Sequence, residues 1–165
     1  MNCNMRWAAL PSLLVTLASA PGVAAEKRPL PPFDVTTPAG ATVGATSLGT
    51  PGQWLMVYVA PDSAPSARLV KALQSWQSPA LAERTVVVIG GTLADARRFV
   101  DQQVGAASSL RWVADPASAG WKALRLSGTP TLVGVKDGRI EWVLAGVLND
   151  PKALESVVRS WVEPR

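Results

Sequence analysis

Two serines, Ser63 and Ser66, directly follow an apolar run at residues 54–60. A continuous apolar run of this length predicts a strand that is buried on both faces. A serine nucleophile needs a neighbouring base that accepts its proton. The chain has no histidine, and neither serine begins a Ser-x-x-Lys motif. The sequence therefore offers no base for hydroxyl chemistry at this position.

The residue types that the chain lacks exclude several other kinds of site. Without histidine there is no His-based triad and no His metal site, and the only cysteine, Cys3, excludes an intramolecular disulfide. Sixteen basic residues against twelve acidic ones give a net charge of +4, which is too small to predict a nucleic-acid partner. No pattern in the sequence predicts a metal ion or a cofactor.

The serine pair also marks the start of a helix. Residues 65–76 place their apolar side chains at helical spacing. Unpaired backbone N–H groups and the helix dipole favour an anion at such an end. Asp62 or Ser63 is placed to cap those N–H groups itself, so capping is the preferred interpretation over anion binding.

The remaining elements follow from hydrophobic periodicity and turn residues. Pro79 marks an end or a break after the helix at 65–76, and Asp137-Gly138 predicts a hairpin turn. Alternating strands and helices predict an α/β fold with a mixed sheet, helices on both faces and an N-terminal β extension. The strands are predicted at 33–35, 42–46, 54–60, 85–89, 110–114, 131–135 and 140–144, and the other helices from Thr92, at 117–124 and at 152–162.

Residues 1–25 have the layout of a secretory signal peptide. Arg6 gives a positive start, an uncharged and mostly apolar run follows, and small residues end at Ala25, after which we expect cleavage. The alternative is an uncleaved membrane anchor, because the uncharged residues 7–25 approach the roughly 20 that a spanning helix needs. We expect a periplasmic or secreted protein with a short tether at 26–32 and one domain at 33–165.

Two segments resemble the thioredoxin-like superfamily. Residues 57–66 (VYVAPDSAPS) are similar to the active-site segment of thioredoxins, where a strand leads into Cys-x-Pro-Cys. Residues 126–132 (LSGTPTL), followed by the turn Asp137-Gly138, resemble the cis-proline loop, its strand and the hairpin after it. The N-terminal extension and Asp115 before a helix are similar to the exported TlpA-like and redoxin branch. The resemblance implies a three-layer sandwich.

The chain departs from this family at its reactive positions. Both family cysteines align with serines, Ser63 and Ser66, the buried carboxylate aligns with Val57, and the tryptophan before the first cysteine aligns with Asp62. Thiol–disulfide exchange needs a thiolate and a second sulfur, and hydroxyls supply neither. The resemblance implies a redox-inactive relative, either natural or made by replacing the cysteines of a TlpA-like thiol–disulfide oxidoreductase.

The resemblance also implies a binding role. We expect a cis bond before Pro130, which in the family leaves the backbone of the preceding residue, here Thr129, free to pair with an extended peptide. The alternatives are that Pro130 serves the fold alone and that the contact surface of a structural subunit lies elsewhere. The expected partner is an extended peptide or a periplasmic protein, in a groove formed by Asp62, Ser63, Ala64, Pro65, Ser66, Thr129 and Pro130.

Overall fold

The computed structural model describes residues 27–103, 109–146 and 150–163. The predicted signal peptide and its cleavage site therefore lie outside the described residues. Within the described part of the chain, no helix is long and apolar enough to cross a membrane.

One mixed sheet of eight strands forms the centre of the described fold, in the order β1-β8-β7-β4-β5-β6-β2-β3. β4 pairs in parallel with β5, and β5 with β6, whereas β7 runs antiparallel to both β4 and β8. The strands are β1 (Arg28–Pro29), β2 (Asp34–Thr36), β3 (Thr42–Gly44), β4 (Gln53–Val59), β5 (Thr85–Gly90), β6 (Arg111–Asp115), β7 (Thr131–Lys136) and β8 (Arg139–Ala145).

Strand β4 is the buried central strand that its apolar run predicted. Because side chains alternate along a strand, Leu55, Val57 and Val59 enter one core cluster. Met56 and Tyr58 enter the other cluster on the opposite face. The sheet is therefore packed on both sides, as predicted.

The helices are α1 (Ala64–Ser75), α2 (Pro79–Arg84), α3 (Leu93–Gln103), α4 (Ala119–Leu124) and α5 (Pro151–Val162). Helices α1, α2, α3 and α5 contribute to the first core cluster. Helix α4 and the N-terminal strands pack on the opposite face with a 3₁₀ turn at Ala45–Ser47. This arrangement is the expected three-layer α/β sandwich with an N-terminal β extension.

The structure differs from the sequence predictions at three places. Pro79 does not simply end a helix: Ser78 caps the separate helix α2, with Pro79 in its first turn. The helix predicted at 117–124 begins later, at Ala119, because Ser118 adopts a left-handed conformation. The segment expected to be a tether contains strand β1, which pairs with β8 and leads into the buried residue Leu30.

Candidate functional site

The two segments that carry the resemblance meet at one edge of the sheet. Strands β4 and β7 are antiparallel neighbours, and Tyr58 is the register partner of Thr131. The loop that leaves β4 and the loop that enters β7 therefore lie at the same end of adjacent strands. This register brings the predicted groove residues together, from Asp62–Ser66 on one side to Thr129–Pro130 on the other.

Ser63 is the N-cap of helix α1. Its Oγ accepts a hydrogen bond from the Ser66 backbone N–H at 3.3 Å, and its backbone N–H donates to the Ala60 carbonyl at 3.2 Å. The N-cap side chain satisfies a donor that the helix itself leaves free. The structure confirms capping by Ser63, one of the two residues that the sequence placed there.

Ser66 is completely buried, and its hydroxyl closes the loop from the inside. The Ala60 backbone N–H donates to the Ser66 Oγ at 3.2 Å. Ser66 therefore holds the shape of the loop. Pro130 is also buried, and it shapes the groove in the same way.

Thr129 is half-buried and lies two residues before Thr131, the first residue of β7. The peptide bond between Thr129 and Pro130 is cis. The loop is fixed on both sides, because Gly146 N–H donates to the Pro130 carbonyl at 2.8 Å and Thr131 Oγ1 donates to the Gly128 carbonyl at 2.6 Å. Neither the N–H nor the carbonyl of Thr129 has a hydrogen-bond partner among the described residues.

Asp62 provides the charge of the groove. Its side chain is exposed, and it has no hydrogen bond or ion pair among the described residues. Ala64 is exposed beside it, and Pro65 is half-buried. The accessible surface of the groove therefore consists of small side chains, one carboxylate and the free backbone of Thr129.

The reactive groups of thiol–disulfide chemistry are absent from this geometry. The place of the family's buried carboxylate is taken by Val57, which is fully buried in the apolar core. The hydroxyls at the cysteine positions accept backbone hydrogen bonds, and the single cysteine of the chain is Cys3. Within the described residues, no group of three potential metal ligands comes together. The two family cysteine positions therefore hold hydroxyls and no thiol.

A buried polar pair on the other face of β4 was not predicted from the sequence. The Tyr58 hydroxyl donates to Asp115 Oδ2 at 2.7 Å, and both side chains are buried. Burial and this hydrogen bond raise the pKa of the Tyr58 hydroxyl above its ordinary range. A tyrosine inside an apolar strand needs a buried partner for its hydroxyl. This requirement was the one feature of the sequence that could have indicated the pair.

Asp115 also holds the start of helix α4. Its carboxylate accepts hydrogen bonds from the backbone N–H groups of Ala119 at 2.7 Å, Gly120 at 3.0 Å and Trp121 at 3.2 Å. Gly120 fits because a Cβ there would lie 2.8 Å from the Phe33 ring. Together with the Tyr58 hydroxyl, these N–H groups give the carboxylate four hydrogen bonds, and Asp115 thereby positions α4.

Comparison with known proteins identifies the fold. No family model and no curated protein matches the sequence. Among solved structures, the chain is similar to a secreted Mycobacterium tuberculosis disulfide oxidoreductase homologous to E. coli DsbE, with 17% identity and a TM-score of 0.59 over 78% of this chain and 95% of that one. It is also similar to an uncharacterized thioredoxin-like protein from Porphyromonas gingivalis, with 18% identity and a TM-score of 0.64 over 81% and 92%.

A third similar structure matches a larger share of the chain. It is a Chlorobium tepidum protein assigned as the thiol:disulfide interchange protein DsbE, with 18% identity and a TM-score of 0.67 over 86% of this chain and 99% of that one. At such identities the similarity establishes the fold alone. The chain has a thioredoxin-like fold, and with one cysteine it cannot form the dithiol of thiol–disulfide chemistry.

Proposed function

We propose that the chain is an exported thioredoxin-like binding module that holds an extended peptide or a segment of a partner protein in the groove. The observation that carries this proposal is the unpaired backbone of Thr129 beside a fully formed loop at Ser63–Ser66. Most backbone N–H and C=O groups inside folded proteins have a hydrogen-bond partner, so the unpaired groups of Thr129 are available for a ligand. An extended peptide satisfies both by β-augmentation, which uses main-chain groups and needs no sulfur.

The charge of the groove supports a preference in its ligand. Asp62 is its single ionisable residue, is exposed, and has no partner within the described residues. An ion pair at an accessible rim affects the association rate and specificity more than it affects affinity. We therefore propose that the bound segment carries a basic side chain that lies opposite Asp62.

The place of action follows from the signal-like residues 1–25 and from the similar structures. One of these is described as secreted, and another is an exposed lipoprotein thioredoxin from Streptococcus pneumoniae. A protein outside the cytoplasm meets extended segments of other exported proteins. The proposed site of action is therefore the periplasm or the extracellular side.

Site-specific photocrosslinking in the native host tests the groove. A photoreactive phenylalanine analogue replaces either Ala64, which is exposed in the first turn of α1, or Ala153, which is exposed in the first turn of α5. We expect adducts from position 64 that are absent from position 153. Adding Thr129→Trp, which fills the groove, should remove those adducts. Identical adducts at both positions, or adducts that Thr129→Trp leaves unchanged, would contradict the proposal.

An insulin-reduction assay separates this function from an oxidoreductase. The unmodified chain should show no turnover above buffer, because neither Ser63 nor Ser66 can form the mixed disulfide. Turnover by this chain would exclude the proposed function. The variant Ser63→Cys/Ser66→Cys is the positive control: activity in that variant shows that its scaffold still positions a dithiol.

A further inference from the structure

The two edges of the sheet are not equally protected. At one edge lies β3, which is only three residues long and includes the exposed residue Thr42. At the other edge lies β1, whose two residues cover only Arg139 and Ile140 of the seven-residue strand β8. Within the described residues, no strand pairs with the outer side of β8 from Trp142 to Ala145. This stretch is the open edge of the sheet.

The open edge is apolar and carries no charge. Trp142, Val143 and Leu144 are half-buried there, and Ala145 is exposed. Native sheets guard their edges with short strands, charged side chains, proline or bulges, because the unpaired backbone groups of an edge accept another strand. From Trp142 to Ala145, β8 has no charge and no proline, and its register with β7 does not shift. The open edge is therefore suited to pairing with a further strand.

An apolar surface continues from the open edge onto helix α5. The rings of Trp142 and Trp161 are in edge contact, with their centroids 5.5 Å apart. Val157 lies one turn before Trp161 on the same side of α5. With 39% of its surface exposed, Val157 is the one exposed large apolar residue of the described chain. A strand that pairs with the open edge would therefore also lie beside apolar surface, and its burial adds to the main-chain hydrogen bonds.

We propose that two copies of the chain pair through their open edges, antiparallel about a two-fold axis. The two sheets then form one continuous sheet with twice the eight strands of a single copy. Two-fold dimers are the commonest homo-oligomers, and their interface sets one surface against itself. The proposal concerns the mature chain that we expect to begin at Glu26, in which one residue precedes Lys27. It does not depend on peptide binding in the groove.

The charge pattern of β8 favours a second copy over a partner with a charged strand. The open edge has no charge, so a charged strand gains no ion pair there and two copies meet without like-charge repulsion. The nearest charged residues on β8 are Glu141 and Arg139. With the axis at the middle of the open edge, the two copies of Glu141 lie about 17 Å apart and those of Arg139 about 30 Å apart. Both separations exceed the Debye length of about 8 Å.

Sedimentation velocity of the mature chain, purified from its native host, tests the proposal. We expect a reversible equilibrium between monomer and dimer as the protein concentration rises. Ala145→Lys puts a charge against the apolar side chains of the other copy, so it should raise the dimer dissociation constant at least about tenfold. Ala41→Lys makes the same change at an exposed position beside β3, at the other edge of the sheet, and should leave the dimer intact.

Hydrogen exchange of the unmodified chain locates the contact without any substitution. Backbone amides of residues 142–145 should exchange more slowly at high than at low protein concentration, whereas those of residues 42–44 should not. Circular dichroism should show that both variants are folded, since each changes an exposed alanine. A chain that stays monomeric at every concentration would overturn the proposal. A dimer that Ala145→Lys leaves intact, or that Ala41→Lys breaks instead, would also overturn it.

Discussion

Two polar regions meet at the carboxyl end of β4, and they differ in how fully their hydrogen bonds are satisfied. On one face, Tyr58 donates to Asp115, whose carboxylate also accepts three backbone N–H groups at the start of α4. On the other, Ser63 and Ser66 bond to their own loop, and the adjacent Thr129 backbone remains unpaired.

This difference separates a structural role from a binding role. Polar groups that are saturated inside the protein stabilise it and have nothing left to offer a ligand. Main-chain groups that have no partner within the protein remain available to pair with the main chain of a ligand. The same comparison explains why Asp115, the more conspicuous buried acid, is not the candidate site, whereas the plain backbone of Thr129 is.

The largest expected effect on stability comes from removing the Asp115 carboxylate, which accepts the hydrogen bonds of Tyr58 and of the start of α4. Asp115→Ala removes the acceptor of four donors: the Tyr58 hydroxyl and the Gly120 N–H, which are buried, and two part-buried backbone N–H groups of α4. Each orphaned buried donor costs about 1–3 kcal/mol. Because solvent and relaxation recover part of that sum, we expect the free energy of unfolding in urea to fall by about 4 kcal/mol.

Asp115→Asn is the matched control for this substitution. The amide oxygen still accepts some of the backbone N–H groups, so the loss of unfolding free energy should be clearly smaller than for Asp115→Ala. Equal losses in the two variants would show that negative charge, and not hydrogen-bond acceptance, holds α4.

The second effect is a dependence of stability on alkaline pH. Burial and the Asp115 hydrogen bond raise the pKa of Tyr58 in the folded state, whereas the unfolded hydroxyl ionises near pH 10. Above that pH the unfolded state loses a proton that the folded state keeps, so stability falls by up to about 1.4 kcal/mol per pH unit. Below pH 10 the Tyr58 hydroxyl is protonated in both states, so its full contribution to the free energy of unfolding is present.

Tyr58 is the only tyrosine in the chain, which makes the measurement specific. Ultraviolet absorbance should show no tyrosinate in the folded protein at pH values where the denatured protein has ionised. In Tyr58→Phe, the fall in stability that is due to this group should disappear. A folded-state titration near pH 10 would mean that the hydroxyl is not held by Asp115.

Sequence reasoning succeeded where local signals decide the structure. The apolar run of β4, the Asp137-Gly138 turn and the Ser63 cap are each set by a few neighbouring residues, and the structure confirms them. The capping box of α3 is equally local: Thr92 and Asp95 exchange hydrogen bonds between side chains and backbone N–H groups.

Sequence reasoning failed where the structure depends on contacts between residues that are far apart in the chain. The hydrogen bond between Tyr58 and Asp115 joins residues 57 positions apart, and no local pattern pairs them. The pairing of β1 with β8 likewise depends on a hairpin more than 100 residues later, so Arg28–Pro29 resembled a tether. The groove stays a prediction, and the burial of Ser66 follows only from packing.

The next effect concerns the two serines. Ser66→Ala leaves the part-buried Ala60 N–H without its acceptor and should cost about 1 kcal/mol or more of unfolding free energy. Ser63→Ala removes a helix cap and should cost about 1 kcal/mol. Ser75→Ala is the control within α1, because that exposed hydroxyl only donates to the Ala72 carbonyl. Costs near zero for both groove serines would remove the structural explanation for their hydroxyls.

The smallest effect on stability, and the sharpest test of the groove, is expected from Asp62→Asn. The side chain is exposed and has no partner among the described residues, so the free energy of unfolding should stay within about 0.5 kcal/mol. If the bound segment presents a basic side chain to Asp62, photocrosslinking from position 64 should nonetheless decrease and lose its salt dependence. Asp101→Asn removes an equally exposed carboxylate from α3 and should leave crosslinking unchanged. Equal crosslinking in both variants would mean that the groove recognises its ligand through the Thr129 backbone alone.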